Sequence, residues 1–148
     1  MSIYVNIRKK VGSFQLDVQF EAGHETLALL GDSGCGKSMT LKSIAGIEPP
    51  ENGVIKIEGK TVYDSENKVN LKPQKRNIGY LFQNYALYPH LTVKQNILFP
   101  LQNLKGKDKL SRSQMDERAQ NAARLVQITE LMDRRPSELS GGQQQRVA

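Results

Sequence analysis

The chain has 148 residues, of which 24% are charged and 38% hydrophobic, and its formal net charge is +6. This length and composition predict one folded domain of two lobes rather than a disordered chain. With no run of about 18 apolar residues and no signal-like N-terminus, the sequence predicts neither a membrane span nor a cleaved leader. The basic residues, Arg76 among them, lie in small groups without interleaved aromatics, so we expect solvated surface charges and no nucleic-acid partner.

The first predicted elements are strands. Apolar and polar residues alternate over residues 3–8 and 14–20, which predicts two half-buried strands joined by a turn at Gly12. Residues 26–30 are nearly continuously apolar, which is typical of a strand covered on both faces. That third strand is expected to lead directly into a glycine-rich turn.

A helix is predicted from residue 37 to about residue 46, where glycine and two prolines follow. Two short strands are expected at residues 53–57 and 61–63, and another buried strand at residues 78–82. These elements predict a mixed sheet with one helix in a first lobe, residues 1–84.

The later part of the chain has the pattern of helices. Thr92 with Gln95, and Ser111 with Gln114, form capping-box patterns ahead of apolar positions at helical spacing. Residues 85–148 are therefore predicted to form a mainly helical second lobe.

The segment GDSGCGKS lies between the third predicted strand and the first predicted helix and fits the phosphate-loop pattern. Its glycines let consecutive backbone N–H groups approach phosphate oxygens, and the start of the helix adds a positive end. Lys37 is expected to reach the β- and γ-phosphates, and the Ser38 hydroxyl to bind Mg²⁺. The nucleotide-binding residues predicted here are Gly31, Asp32, Ser33, Gly34, Cys35, Gly36, Lys37, Ser38 and Met39.

A second segment, LSGGQ, predicts another anion site. Ser140 is a good N-cap, and Gly141 and Gly142 leave the first backbone N–H groups of a helix uncovered. These residues are predicted to form a second anion site, in a segment that ends at Gln143.

With Gln83 at the end of the strand predicted at residues 78–82, these segments resemble the nucleotide-binding subunits of ABC transporters over essentially the whole chain. The resemblance implies an α/β P-loop NTPase cassette, here incomplete, with an N-terminal β-hairpin subdomain and a C-terminal helical lobe. It implies an ATPase that uses ATP and Mg²⁺ and drives transport from the cytoplasmic face of the membrane. Implied partners are the membrane subunits (permease) and a second ATP-binding subunit, arranged head to tail.

The resemblance also implies roles for individual residues. Lys37 and Gln83 would be catalytic, with Ser38 and Gln83 at the metal, and LSGGQ would close over the γ-phosphate held by the partner subunit. Residues after Gln83, from Tyr85 to Pro89, would lie near the surface that contacts the membrane subunits. Phe14 matches the aromatic position that stacks on adenine in this family, although its place in an alternating strand equally fits a core-facing residue.

Within the family, the segment LKPQKRNIGYLFQNYALYPHLTV is most similar to ATP-binding subunits of molybdate importers. Importers of sulfate, iron, sugars or polyamines are the alternatives of the same kind. A nucleotide-binding module that does not hydrolyse ATP is a further alternative.

The sequence departs from the family pattern after LSGGQ. The family's apolar strand ending in Asp-Glu, its later aspartate and its switch histidine have no counterpart, and His24 and His90 lie in other regions. We therefore expect the first half to two thirds of a cassette, which binds ATP but by itself does not turn it over at a family-typical rate.

Overall fold

The computed structural model describes residues 2–104, 106 and 109–148. The chain forms two compact units, Met1–Tyr80 and Leu81–Ala148. The first unit contains strands β1 (Ile3–Val11), β2 (Phe14–Ala22), β3 (Asn52–Ile57), β4 (Lys60–Asp64) and β5 (Val69–Asn70), helix α1 (Lys37–Ala45) and a 3₁₀ turn at Pro73–Lys75.

The five strands form one antiparallel sheet in the order β2-β1-β3-β4-β5. In this register Ile7 lies opposite Val18 on one side and Gly53 on the other. The alternation predicted for residues 3–8 and 14–20 is confirmed, because every second side chain points into the core. The buried core of this unit consists of Val5, Ile7, Leu16, Ile44, Ile55, Ile57, Val62 and Tyr63.

Two predicted strands are wrong. Residues 26–30 and 78–82 have no regular secondary structure, and their largest apolar side chains are exposed, with Leu30 90% and Leu81 55% accessible. The predicted mixed sheet is wrong for the same reason, since the sheet of the described residues is antiparallel throughout. An apolar run becomes a strand only when a neighbouring segment pairs with its backbone, and no strand of this sheet does so here.

The second unit is helical. It contains α2 (Val93–Gln102), α3 (Arg112–Leu125), α4 (Gly141–Val147) and 3₁₀ turns at Thr129–Leu131 and Pro136–Glu138. Both predicted capping boxes are confirmed at the starts of α2 and α3. The core of this unit is formed by Val93, Ala119, Ala123, Ile128, Leu131, Met132 and Leu139.

None of the helices that the described residues form combines the length and the apolar character needed to cross a bilayer.

Candidate functional site

The glycine-rich loop precedes α1, and its backbone is shaped by positive φ angles. Gly31, Gly34 and Gly36 have φ values of 152°, 85° and 94°, which other residues rarely adopt. Gly36 is the N-cap of α1 and has no side chain with which to cap the helix. The first backbone N–H groups of α1 are therefore left to a ligand or to water.

The loop lies directly against β2. A Cβ atom at Gly36 would collide with Leu16 Cδ1 and would lie 3.3 Å from Phe14 Cζ. Leu16 belongs to the buried core, so this close approach fixes the start of α1 on the sheet. Only glycine meets both the conformational and the steric requirement at this position.

Lys37 folds back across the loop. Its ammonium donates hydrogen bonds of 2.6 Å to the Gly31 carbonyl oxygen and 2.7 Å to the Asp32 carbonyl oxygen, and it lies 3.5 Å from Cys35 Sγ. A positive charge is thus held at the loop, next to the N-terminal end of α1. Both features attract an anion to the same point.

The remaining predicted loop residues differ in exposure. Asp32, Ser33, Cys35 and Ser38 are exposed, and Ser38 is the second residue of α1, so its hydroxyl is accessible beside the loop. Met39, by contrast, is half-buried and packs against the core of the first unit.

Phe14 begins β2 and is half-buried. Its ring packs against the core cluster, and ring atoms also lie 3.3 and 3.4 Å from the Cβ position of Gly36. The ring therefore borders the loop while it contacts the core, and both interpretations of this residue remain compatible with its position.

Sequence reasoning missed Arg76, which was expected to be a solvated surface charge. It is only 2% exposed. Its guanidinium donates to the Ser43 and Ile44 carbonyl oxygens at the C-terminal end of α1, both at 2.8 Å. Burial lowers the pKa of this guanidinium from its usual value, because desolvation penalises the charged form. In the sequence, Gly46 is the signal that could have indicated this burial, because a glycine at a helix end leaves room for a buried hydrogen-bond donor.

Gln83 lies in the second unit, in an exposed turn. The Tyr85 N–H closes the turn by donating to the Phe82 carbonyl oxygen at 2.9 Å, and Tyr85 and Ala86 have φ values of 60° and 51°. The turn thus presents the Gln83 amide to solvent rather than ending a paired strand.

An aromatic pair follows this turn. The Tyr88 and Phe99 ring centroids lie 4.5 Å apart, and the Tyr88 side chain is 42% exposed. An exposed aromatic pair of this kind can contact another protein.

The LSGGQ segment starts α4 as predicted. Ser140 Oγ accepts from the Gln143 N–H at 3.3 Å, and Gln143 Oε1 accepts from the Ser140 N–H at 2.9 Å, which completes a capping box. A Cβ at Gly141 or Gly142 would meet nothing within 4 Å. The backbone at the start of α4 is therefore open to close approach, while the Gln143 side chain is engaged as a cap.

Comparison with known proteins shows the family of the chain. The sequence model of a family described as ABC transporter matches residues 14–148. The trehalose/maltose import ATP-binding protein MalK of Thermococcus litoralis is 50% identical over 124 residues, covering 84% of this chain and 32% of that protein. The molybdate/tungstate import ATP-binding protein WtpC of Archaeoglobus fulgidus is 40% identical over 148 residues, covering 100% of this chain and 57% of that protein. The chain spans between about a third and just over half of the length of these relatives.

A solved structure agrees with this similarity. The ATP-binding cassette MJ0796, in a dimeric post-hydrolysis state bound to ADP and Pi, matches with a TM-score of 0.78 and 27% identity. The match covers 99% of this chain and 66% of that chain. It confirms the predicted fold, a partial α/β ATP-binding cassette.

Proposed function

Because the chain belongs to the ABC transporter family, we propose that it supplies the ATP-binding part of an importer and couples ATP binding and hydrolysis to transport. The observation that carries this proposal is the position of Lys37, whose ammonium is held at the glycine loop beside the start of α1. Charge-assisted contacts from a lysine and a helix N-terminus are well suited to a triphosphate.

In this proposal the loop binds the phosphates of ATP and Lys37 stabilises their negative charge. The Ser38 hydroxyl and the Gln83 amide are the protein ligands proposed for Mg²⁺, and Gln83 also orients the attacking water. Magnesium, when bound, neutralises charge that develops on the transferring phosphoryl group. Phe14 is proposed to stack on the adenine, with its ring beside Gly36 as support for that position.

The LSGGQ segment is proposed to act on a second subunit. Its open backbone at Gly141 and Gly142 fits contact with the γ-phosphate held by a partner in a head-to-tail dimer. The dimeric state described for MJ0796 supports this arrangement. The chain then has two phosphate-binding surfaces, the glycine loop and LSGGQ. In the dimer these surfaces contact two shared nucleotides rather than two different ligands.

The membrane subunits of a transporter are the proposed partners for residues 85–89. The exposed Tyr88 ring, paired with Phe99, gives this region a surface for protein contact. The chain would then be peripheral, at the cytoplasmic face of the membrane.

For the transported substrate, molybdate or a related oxyanion is the finer proposal. It is supported by the segment around Gln83 and by a molybdate/tungstate relative that matches the whole chain. A sugar importer is the second candidate, favoured by the higher identity to the trehalose/maltose relative.

Nucleotide binding is tested by calorimetric titration of the 148-residue chain with ATP, in Mg²⁺ and then in EDTA. We expect saturable binding that weakens without the metal, because Mg²⁺ offsets phosphate charge in the loop. No binding at millimolar ATP would contradict the proposal.

Partner and substrate are tested with membrane subunits of a molybdate importer and of a maltose importer, each in lipid nanodiscs. We expect the molybdate permease to retain the chain and Tyr88→Ala to abolish retention. Tyr4→Ala, in the first unit, is the matched control and should be retained. Retention by the maltose permease alone would favour the sugar importer.

A further inference from the structure

Among the described residues, the side chain of Arg76 makes four hydrogen bonds to two segments of the first unit, the end of α1 and residues 70–71. Besides the two carbonyl oxygens at the end of α1, its Nε donates to the Leu71 carbonyl oxygen at 2.9 Å and its NH2 donates to Asn70 Oδ1 at 3.0 Å. All four acceptors are neutral, although the residue is 2% exposed. No carboxylate of the described part of the chain pairs with it. A buried charge without such a partner is costly, so its retention calls for a compensating interaction.

The compensating interaction is with α1. The last carbonyl groups of a helix lack partners within the helix and carry the negative end of its dipole. The guanidinium satisfies two of these carbonyls, at Ser43 and Ile44, and places its charge at that end. Its rigid fork allows several such bonds at once, which a lysine ammonium cannot reproduce with the same geometry.

Gly46 makes room for this contact. It is the C-cap of α1 with a φ of 76°, and its N–H donates to the Ser43 carbonyl oxygen at 3.2 Å. A Cβ at Gly46 would collide with Arg76 Nε and would lie 2.7 Å from Arg76 Cζ. The glycine therefore serves both the helix end and the approach of the guanidinium.

The two ends of α1 are thus fixed by different contacts. The helix has nine residues, begins at Lys37 directly after the loop, and is held at its start by the contact of Gly36 with Leu16. A short helix moves as one body, so displacement of its C-terminal end also displaces the N–H groups at its start. We infer that Arg76 is a positioning residue for the phosphate loop, which it acts on through α1.

This inference rests on the proposed nucleotide binding at the loop. Its test compares Arg76→Lys with Arg8→Lys, a matched control in the same unit, where the exposed Arg8 pairs with Asp17 at 3.0 Å. Arg76→Lys keeps the charge and removes the fork. We expect the Kd for a fluorescent ATP analogue to rise about tenfold at a temperature where both variants are folded, and Arg8→Lys to bind like wild type.

A double-mutant cycle distinguishes positioning from a general loss of stability. If Arg76 acts through the loop and Lys37, the loss caused by Arg76→Lys should shrink to less than about twofold in a Lys37→Ala background. Fully additive losses would overturn the inference, as would equal affinities of Arg76→Lys and wild type.

Amide hydrogen exchange provides a readout that needs no nucleotide. We expect Arg76→Lys to accelerate exchange in α1 by about tenfold or more while the β1–β2 hairpin is unchanged. If the wild-type chain does not bind the ATP analogue, the proposed function fails, and unchanged exchange in α1 would separately overturn the role of Arg76. Should Arg76→Lys fail to fold, Asn70→Ala, which removes one acceptor of the guanidinium, replaces it in every measurement.

Discussion

The ammonium of Lys37 lies 2.6 Å from the carbonyl oxygen of Gly31. A side chain at the start of α1 thus contacts the first residue of the glycine-rich loop and closes the loop. The contact holds a positive charge beside the backbone N–H groups that begin the helix. A phosphate at this point meets a lysine and a helix N-terminus together, and both contribute to its affinity for the loop.

Lys37→Ala should weaken binding of ATP with Mg²⁺ by about 30-fold, since a charge-assisted contact to phosphate contributes about 2 kcal/mol. The measurement is a titration with a fluorescent ATP analogue. Lys42→Ala is the matched control, because Lys42 belongs to the same helix but lies 3.7 Å from Glu48, with which it pairs. Equal affinities of the two variants would remove the loop from the proposed site.

Modification of Cys35 with a bulky maleimide should block nucleotide binding, and bound ATP should slow the labelling. The thiol is exposed and lies within the loop, 3.5 Å from the Lys37 ammonium, so a large adduct occupies the space that phosphates need. Labelling rates are measured by mass spectrometry with and without saturating ATP. Cys35→Ser is the control, which should bind ATP and take no label. Identical labelling rates of Cys35 with and without ATP would place this residue outside the site.

Phe14→Leu tests the two interpretations of this aromatic residue. If the ring stacks on adenine, the variant should bind ATP several-fold more weakly while its unfolding free energy falls by less than about 1.5 kcal/mol, as expected for an apolar replacement in a core. Binding is measured by titration and stability by urea unfolding. Phe20→Leu, in the same strand and packed against the same core, is the control. An unchanged affinity with reduced stability would assign Phe14 to the core alone.

Glu48 should give the first unit a small acid sensitivity. The hydrogen bond from Lys9, at 2.8 Å, is the main cause that lowers the pKa of this carboxyl below its usual value. Since the folded-state pKa is the lower one, the stabilisation is fully present above the unfolded-state pKa of the carboxyl and is lost as pH falls through the lowered pKa. The pair is partly exposed and screened, so the contribution stays below about 1 kcal/mol.

The measurement compares urea midpoints of wild type and Glu48→Gln at pH 7 and pH 3. The difference between the two proteins should be present at pH 7 and shrink at pH 3. Glu66→Gln, a change in the exposed turn before β5, is the control and should show no such convergence. A difference that persists unchanged at pH 3 would contradict this role for the carboxylate.

The local features of this protein follow from its sequence alone. The capping boxes at Thr92 and Ser111 join residues three positions apart, and the β1–β2 hairpin follows from alternation and one turn. The glycine loop, α1 and its end at Gly46 were predictable for the same reason. Each of these features depends on residues that are close in the chain. Their conformational preferences therefore act independently of the rest of the fold.

The hydrogen bonds and burial that distant segments share depend on the tertiary structure. Arg76 is buried because carbonyl oxygens 32 and 33 residues earlier in the chain accept from it. Residues 26–30 and 78–82 have the composition of buried strands, yet they form none, because strand formation requires a partner backbone. Burial of a charge and pairing of a strand are both set by acceptors and donors that the local sequence does not contain.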